Sequence, residues 1–415
     1  MSSGLSQTER VPSTLPQGDP VPADGSLPDQ AYAGMAERSL SFYLHVPFCA
    51  TRCGYCDFNT YTAGELGSAA SPDSWLAAAL AEIDLAAKVL HEGGDRRAVS
   101  TVFVGGGTPS LVGASRLTRL LDAVRERFGL APDAEVTTEA NPESVDAIGL
   151  QRLREAGFTR VSFGMQSAVP QVLTTLDRVH SPGRPQQCVV EAKAAGFAHV
   201  SLDLIYGTPG ESATDWEASL DAALAAAPDH VSAYALIVEE GTRLAGRIRS
   251  GELPMTDDDE LADKYLMAEQ RLVGAGFTAY EVSNWATSDA ARCRHNLGYW
   301  RSDNWWGIGP GAHSHVGGTR WWNVKHPRAY AERMVAGVSP AHAREVLTND
   351  ERRLERVLLE LRLAEGLDPH VLSGTERARL PELVARGLLI AGPGPLRLTL
   401  SGRLLADGVI RDLLD

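Results

Sequence analysis

Between residues 41 and 238 the chain alternates strand-like and helix-like segments with a regularity that few folds can use. The strand-like runs are SFYLHVPF (41–48), VSTVFVGG (99–106), EVTTEAN (135–141), RVSFGMQS (160–167), HVSLDLIYG (199–207) and HVSAYALIV (230–238). Helical segments are expected between them at 75–90, 117–128, 150–156, 188–195 and 216–226. The second of these carries Leu117, Leu120, Leu121, Val124 and Phe128, a stripe down one helical face. Six βα units in about 200 residues predict a parallel sheet, open or closed into a barrel. Working residues of such sheets lie where strands end and loops enter the helices.

Other parts of the chain read differently. Residues 1–38 are rich in Pro, Gly, Ser and Asp without apolar periodicity, and are expected to be a disordered leader. The core is placed at 39–240 and an extension dense in aromatics, His and Gly at 241–344, with a helix at 258–275 and a strand FTAYEVSNWA. Residues 345–415 suit a small winged-helix-like α+β domain: short helices, the two-strand pattern GLLIAGPGPLRLTLSGR, and a last helix near 404–414.

Charge and hydropathy exclude several roles. A formal net charge of −14 argues against a sequence-independent nucleic-acid binder, which needs a basic surface. No apolar run reaches the roughly 18 residues of a membrane span, and the N-terminus lacks the pattern of a secretory signal, so a cytoplasmic address is expected.

Three of the five cysteines crowd into eight residues directly after the first strand, as Cys49-x3-Cys53-x2-Cys56. Cys188 and Cys293 lie over 130 residues away, and an odd count makes a poor disulfide framework. Structural zinc prefers four ligands in paired Cys-x2-Cys units, and only one such unit exists; His45 lies on the strand and is expected to point away. Three thiolates can instead hold three corners of a [4Fe–4S] cubane, leaving one iron open to the amino and carboxylate groups of S-adenosylmethionine. The second strand ends in Gly105-Gly106-Gly107-Thr108-Pro109, neither a Walker loop nor a dinucleotide fingerprint, but a turn that lets a ligand approach the backbone.

On these residues the chain resembles the HemN-like radical SAM family, most closely its HemW group of heme chaperones, from about residue 41 to the C-terminus. The resemblance implies a partial (β/α)6 barrel. It also implies that Tyr43, Gly106, Gly107, Thr108, Glu139, Gln166, Arg178 and Asp203 hold S-adenosylmethionine. The strand pattern agrees, since Glu139, Gln166 and Asp203 each fall toward the carboxyl end of an expected strand.

Six of the eight tryptophans fall between Trp285 and Trp322. Flat aromatic faces suit a large conjugated ring, and packing at a sheet edge or domain junction suits them equally. Within this segment His295-Asn296-Leu297-Gly298-Tyr299-Trp300 matches the HNxxYW signature of the HemW group, which implies heme binding through His295, Asn296, Tyr299 and Trp300. Cys293 and His313 are further candidates. Oxidases of the family extend the cysteine motif by a fourth cysteine at the position of Phe58, so porphyrinogen decarboxylation is not expected here.

The function implied is heme trafficking to an acceptor hemoprotein, with membrane contact only peripheral and through that acceptor. An oxygen-independent coproporphyrinogen III oxidase and a HemN-like radical methylase are the alternatives. The aromatic patch serves equally as a dimer face, which leaves oligomeric state open.

Overall fold

The computed structural model describes residues 15–67 and 70–414. Six parallel strands form its centre in sequential order: β1 (Leu40–Val46), β2 (Val99–Gly106), β3 (Leu130–Ala140), β4 (Arg160–Gln166), β5 (His199–Tyr206) and β6 (His230–Ala235). Helices Pro72–Glu92, Ala114–Phe128, Ala147–Ala156, Arg184–Ala194 and Ala213–Ala225 connect them. The sheet does not close on itself, so this is the partial barrel anticipated from the alternation.

Period two explains the layering. Phe42, Leu44, Val102, Val104, Val161, Phe163, Val200 and Leu202 point outward and are buried in one continuous core with the helices. The helix Ala114–Phe128 buries Leu117, Leu120, Leu121 and Val124 against it, as its stripe requires. The intervening residues Tyr43, Phe103, Thr137, Ser162, Ser201 and Ser232 face a concave interior.

The extension completes the sheet on both sides. After the helix Asp258–Gly274 come β7 (Thr278–Ala279) and β8 (Asn284–Ala286), the latter antiparallel to β6. The single strand expected at FTAYEVSNWA is therefore a tight hairpin, with Thr278 opposite Ala286. The chain then passes under the barrel as the short helix Arg294–Trp300 and emerges at the other edge. There β9 (Asn304–Ile308) pairs in parallel with β1, and β10 (His313–Val316), β11 (Thr319–Asn323) and β12 (Ala341–Val346) follow antiparallel. Trp285, Trp306, Trp321 and Trp322 are buried as packing for these added strands, Trp306 and Trp321 meeting edge-to-face at 4.7 Å.

The leader needs correction. Residues 1–14 lie outside the described residues, but from residue 15 the chain is packed rather than disordered. Asp19 exchanges backbone hydrogen bonds with Arg344 on β12, Ala31 is fully buried, and Tyr32 donates to the Val89 carbonyl. Such a strap has short contacts and no periodicity, so composition alone misreads it; it also covers an otherwise open sheet edge.

The last residues build a cluster of their own from Val357, Leu361, Leu367, Leu383, Leu389, Ile410 and Leu413. Here the expected two-strand wing is reduced to isolated bridges at Leu367–Leu396 and Leu389–Leu398, and the last helix divides into Leu400–Leu404 and Ala406–Leu414. Among the described residues no helix is long and apolar enough to cross a membrane. Phe163 lies fully buried on the convex face of β4. Phe163→Ala is expected to cost about 3–5 kcal/mol in urea denaturation, and a loss below about 1 kcal/mol would contradict this layering.

Candidate functional site

A cavity of about 1280 Å³ opens at the carboxyl ends of the strands. It is larger than the roughly 300–1,000 Å³ of ordinary ligand pockets. Cys49, Cys53 and Cys56 line its upper wall, on the loop leaving β1. That loop is fastened at several points: Cys49 N–H donates to the Tyr61 carbonyl, Gly54 N–H to Leu176, and Leu244 N–H to the Gly54 carbonyl. Arg178 brings Nη1 to 3.6 Å from Cys53 Sγ, and Thr108 Oγ1 lies 3.9 Å from Cys49 Sγ.

These thiols suit a cluster. Burial pushes Cys49 up and Cys56 to about 11, and each is raised further by its neighbouring cysteines, a cost that ligation to iron and the Arg178 charge would offset. Among the described residues no three His, Cys, Asp or Glu side chains are drawn tightly enough together for a single metal ion. A tetrahedral zinc would hold its thiolates about 3.8 Å apart. His45 is engaged elsewhere: Nδ1 meets the Tyr43 hydroxyl at 3.0 Å and Nε2 the Asn59 carbonyl at 2.9 Å.

The glycines make room. A Cβ on Gly107 would stand 2.5 Å from the Phe48 carbonyl and 3.0 Å from Cys49 Sγ, and Gly106 has φ 111°. Glu139 accepts from Gly106 N–H at 3.1 Å. Gln166 follows a bulge in β4 and takes φ 62°, a left-handed conformation costly for a non-glycine residue, which turns its side chain into the cavity. Arg178 Nη2 donates to the Gly164 carbonyl, and both oxygens of Asp203 accept from Ser162 at 2.9 Å. Thus Tyr43, Gly106, Gly107, Thr108, Glu139, Gln166, Arg178 and Asp203 all reach this cavity.

Two carboxylates lie close together there, and the charges of Arg160 and Arg178 offset the burial of Asp203 only in part. Burial, then the charge of Asp203, pushes Glu139 to about 8; burial also raises Asp203. A cationic ligand would relieve both.

The HNxxYW segment forms the floor. The cavity is lined by Cys293, His295, Asn296 and Tyr299; Trp300 is not among these residues and packs instead with Tyr280, Leu297 and Leu363. His295 is buried with both nitrogens taken, Nδ1 by Thr101 Oγ1 at 2.7 Å and Nε2 by the Tyr299 hydroxyl at 2.8 Å, and its ring stacks on Phe103. Burial lowers its pKa to about 3, so it is neutral. Cys293 is also buried, pushed to about 12, its Sγ 3.7 Å from Glu135. His313 lies outside the cavity, exposed and stacked on Trp322. Residues that motif reading did not single out, Arg160, Ser162, Ser201 and His230, share the interior; stepping back by twos from Gln166 and Asp203 along their strands finds the first three.

Two outcomes follow. Gly107→Ala should cut iron and sulfide loading by at least about half while the fold, read by circular dichroism, persists, because the added Cβ displaces the Cys49 loop. In the metal-free protein Glu139 keeps its proton between about pH 4.5 and 8 while the unfolded chain loses it. Its contribution to stability therefore falls as pH rises through that window, by at most about 1.4 kcal/mol per unit. Glu139→Gln should remove this component from urea-denaturation profiles; parallel profiles for the two proteins would refute it.

Known proteins resemble this chain in sequence and in fold. Residues 43–223 match the model of the Radical SAM superfamily. The chain is 56% identical over 382 residues to "Heme chaperone HemW" of Mycobacterium tuberculosis, covering 92% of this chain and 96% of that protein. Proteins of the same name from Escherichia coli and Bacillus subtilis are 34% and 32% identical, each with 89% of this chain and 97% of the relative covered. The solved coproporphyrinogen III oxidase HemN of Escherichia coli superposes with a TM-score of 0.79 over 93% of this chain and 92% of its own, at 24% identity, a likeness of fold. The chain therefore belongs to the HemW family of heme chaperones, within the radical SAM superfamily.

Proposed function

We propose that this protein is a heme chaperone that carries a [4Fe–4S] cluster on Cys49, Cys53 and Cys56, binds S-adenosylmethionine beside it, and passes heme to an acceptor hemoprotein. The observation carrying this reading is the convergence of all three thiols and all eight expected cofactor positions on one cavity. When bound, the cluster supplies an electron able to cleave a sulfonium bond. The chain's own residues bind and orient. Glu139 and Asp203 offer carboxylates to an ammonium and ribose hydroxyls, Gly106 and Gly107 open the backbone, and Arg178 steadies the thiolate of Cys53. Residues 39–240 act as the cofactor-binding core, 241–344 as the heme-handling extension, and 345–415 as an acceptor-docking unit in a cytoplasmic setting.

Phe58, more than half exposed at the mouth where the oxidases have a cysteine, supports a chaperone over an oxidase. Heme contact is assigned to the floor segment, with His295 Nε2 as the iron ligand once the Tyr299 hydroxyl has moved off it. Anaerobically reconstituted protein should take up heme stoichiometrically and turn over no porphyrinogen. His295→Ala should lose heme while keeping the cluster absorbance. Tyr299→Phe, which frees Nε2 at the cost of one hydrogen bond of about 1 kcal/mol, should bind heme about fivefold tighter. Heme uptake by His295→Ala equal to that of the unaltered protein would remove the floor segment from the assignment.

A further inference from the structure

The cavity continues below the level of the cysteines. β4 turns Arg160, Ser162, Gly164 and Gln166 inward in succession, and with the bulge this span matches five residue steps of β5, which puts Arg160 about 17 Å beneath Gln166. A cofactor seated on the thiols and held by Glu139 and Asp203 reaches down to the level of Ser162, the register partner of Glu139, and leaves the level of Arg160 and Thr137, two residues or about 7 Å lower, free.

The groups at the bottom are unequally engaged. His230 spends Nδ1 on Ser201 and Nε2 on the Tyr280 hydroxyl, both at 2.7 Å, and His295 is likewise fully bonded. Arg160 differs. It is 1% exposed, its Nη1 donates to the Ala291 carbonyl at 2.6 Å, and its Nη2 has no hydrogen-bond partner among the described residues. Its register neighbour on β3, Thr137, is fully buried with Oγ1 also unpartnered. Asp203, whose carboxylate feels the guanidinium charge, is already held by Ser162. Two donors on adjacent strands thus face the same cavity unspent.

We propose that this floor is a second subsite, which binds a small carboxylate-bearing molecule through Arg160 Nη2 and Thr137 Oγ1 beneath the cofactor level. Asp203 offsets the buried guanidinium only in part, since burial raises its own carboxyl toward the neutral form, and an incompletely matched buried charge is costly. A water would satisfy the hydrogen bonds and leave the charge. A phosphate would bring more negative charge than one free guanidinium edge and one hydroxyl can meet, directly beneath Asp203 and Glu139. One planar carboxylate matches two donors. The subsite stands independently of the heme assignment.

The test uses protein with its cluster reconstituted, held anaerobically with S-adenosylmethionine, and carbon-13-labelled acetate as probe in saturation-transfer NMR. The unaltered protein should give a saturable signal. Arg160→Gln should weaken binding at least tenfold and Thr137→Val, nearly isosteric and so safe for folding, several-fold, with the cluster's spectral response to S-adenosylmethionine retained in both. Hemin added to the unaltered protein identifies the source: displacement of acetate assigns the carboxylate to a heme propionate, persistence assigns it to a free acid, and either result supports the subsite. No saturable signal, or equal binding by Thr137→Val and the unaltered protein, overturns it. Loss of the cluster response would count against the cofactor reading and not against this one.

Discussion

A concave parallel sheet with helices on only one side has an inner surface that nothing apolar covers, and the rest of this structure answers to that constraint. The helices satisfy the convex face with Val, Leu and Phe at every second position. The other positions must face either water or a ligand, and here they are Tyr43, Glu139, Arg160, Ser162, Asp203 and Ser232. Burying Glu139 and Asp203 so near each other is unfavourable in isolation, as the raised pKa of both records. An interior of this kind is stable enough because the outer core supports it, and reactive enough because its charges are only partly matched.

The same constraint explains why the extension is built into the sheet. Six strands make an open arc whose two edges would otherwise be unpaired. β8 closes one and β9 the other, and residues between them cross beneath the arc. The crossing is pinned by polar contacts. Glu135 of β3 accepts from Arg294 N–H and His295 N–H, Thr101 of β2 meets His295, and Arg160 of β4 holds the Ala291 carbonyl. Directional bonds of this sort fix register where a purely apolar floor could slide.

How far the sequence foretold this depends on the kind of signal. The parallel core was legible because each strand repeats every two residues and each connecting helix carries its own stripe. The cysteine loop was legible because three ligands sit within eight residues. What lay hidden was non-local. NWWGI (304–308) gives no sign that it will lie parallel to β1, more than 260 residues earlier, since that pairing depends on the arc having a free edge. The strap at 15–38 makes contacts too sparse for periodicity to register. Gln166 is implied by the family resemblance and agrees with a place at a strand end, yet its left-handed backbone could not be read from a residue type that rarely adopts it. Arg160, two inward positions before Gly164, belongs to no motif that would mark it.

The HNxxYW helix brings these strands of argument together. Its residues are divided between two environments within two turns. His295 and Tyr299 belong to the cavity floor, whereas Trp300 packs with Leu363, next to the helices of the last segment. Cys293 and His295 are fixed to β2 and β3 by buried bonds, so the helix cannot tilt without breaking them. Tyr299 is the freer member: its hydroxyl bonds His295 of its own helix, and its ring rests edge-on against His295 and against Trp305 of β9. A ligand that takes the place of that hydroxyl therefore works against one short hydrogen bond and two edge-on aromatic contacts, while the frame around it stays anchored. The motif is thus built to open at a single point, between His295 and Tyr299, and to hold everywhere else.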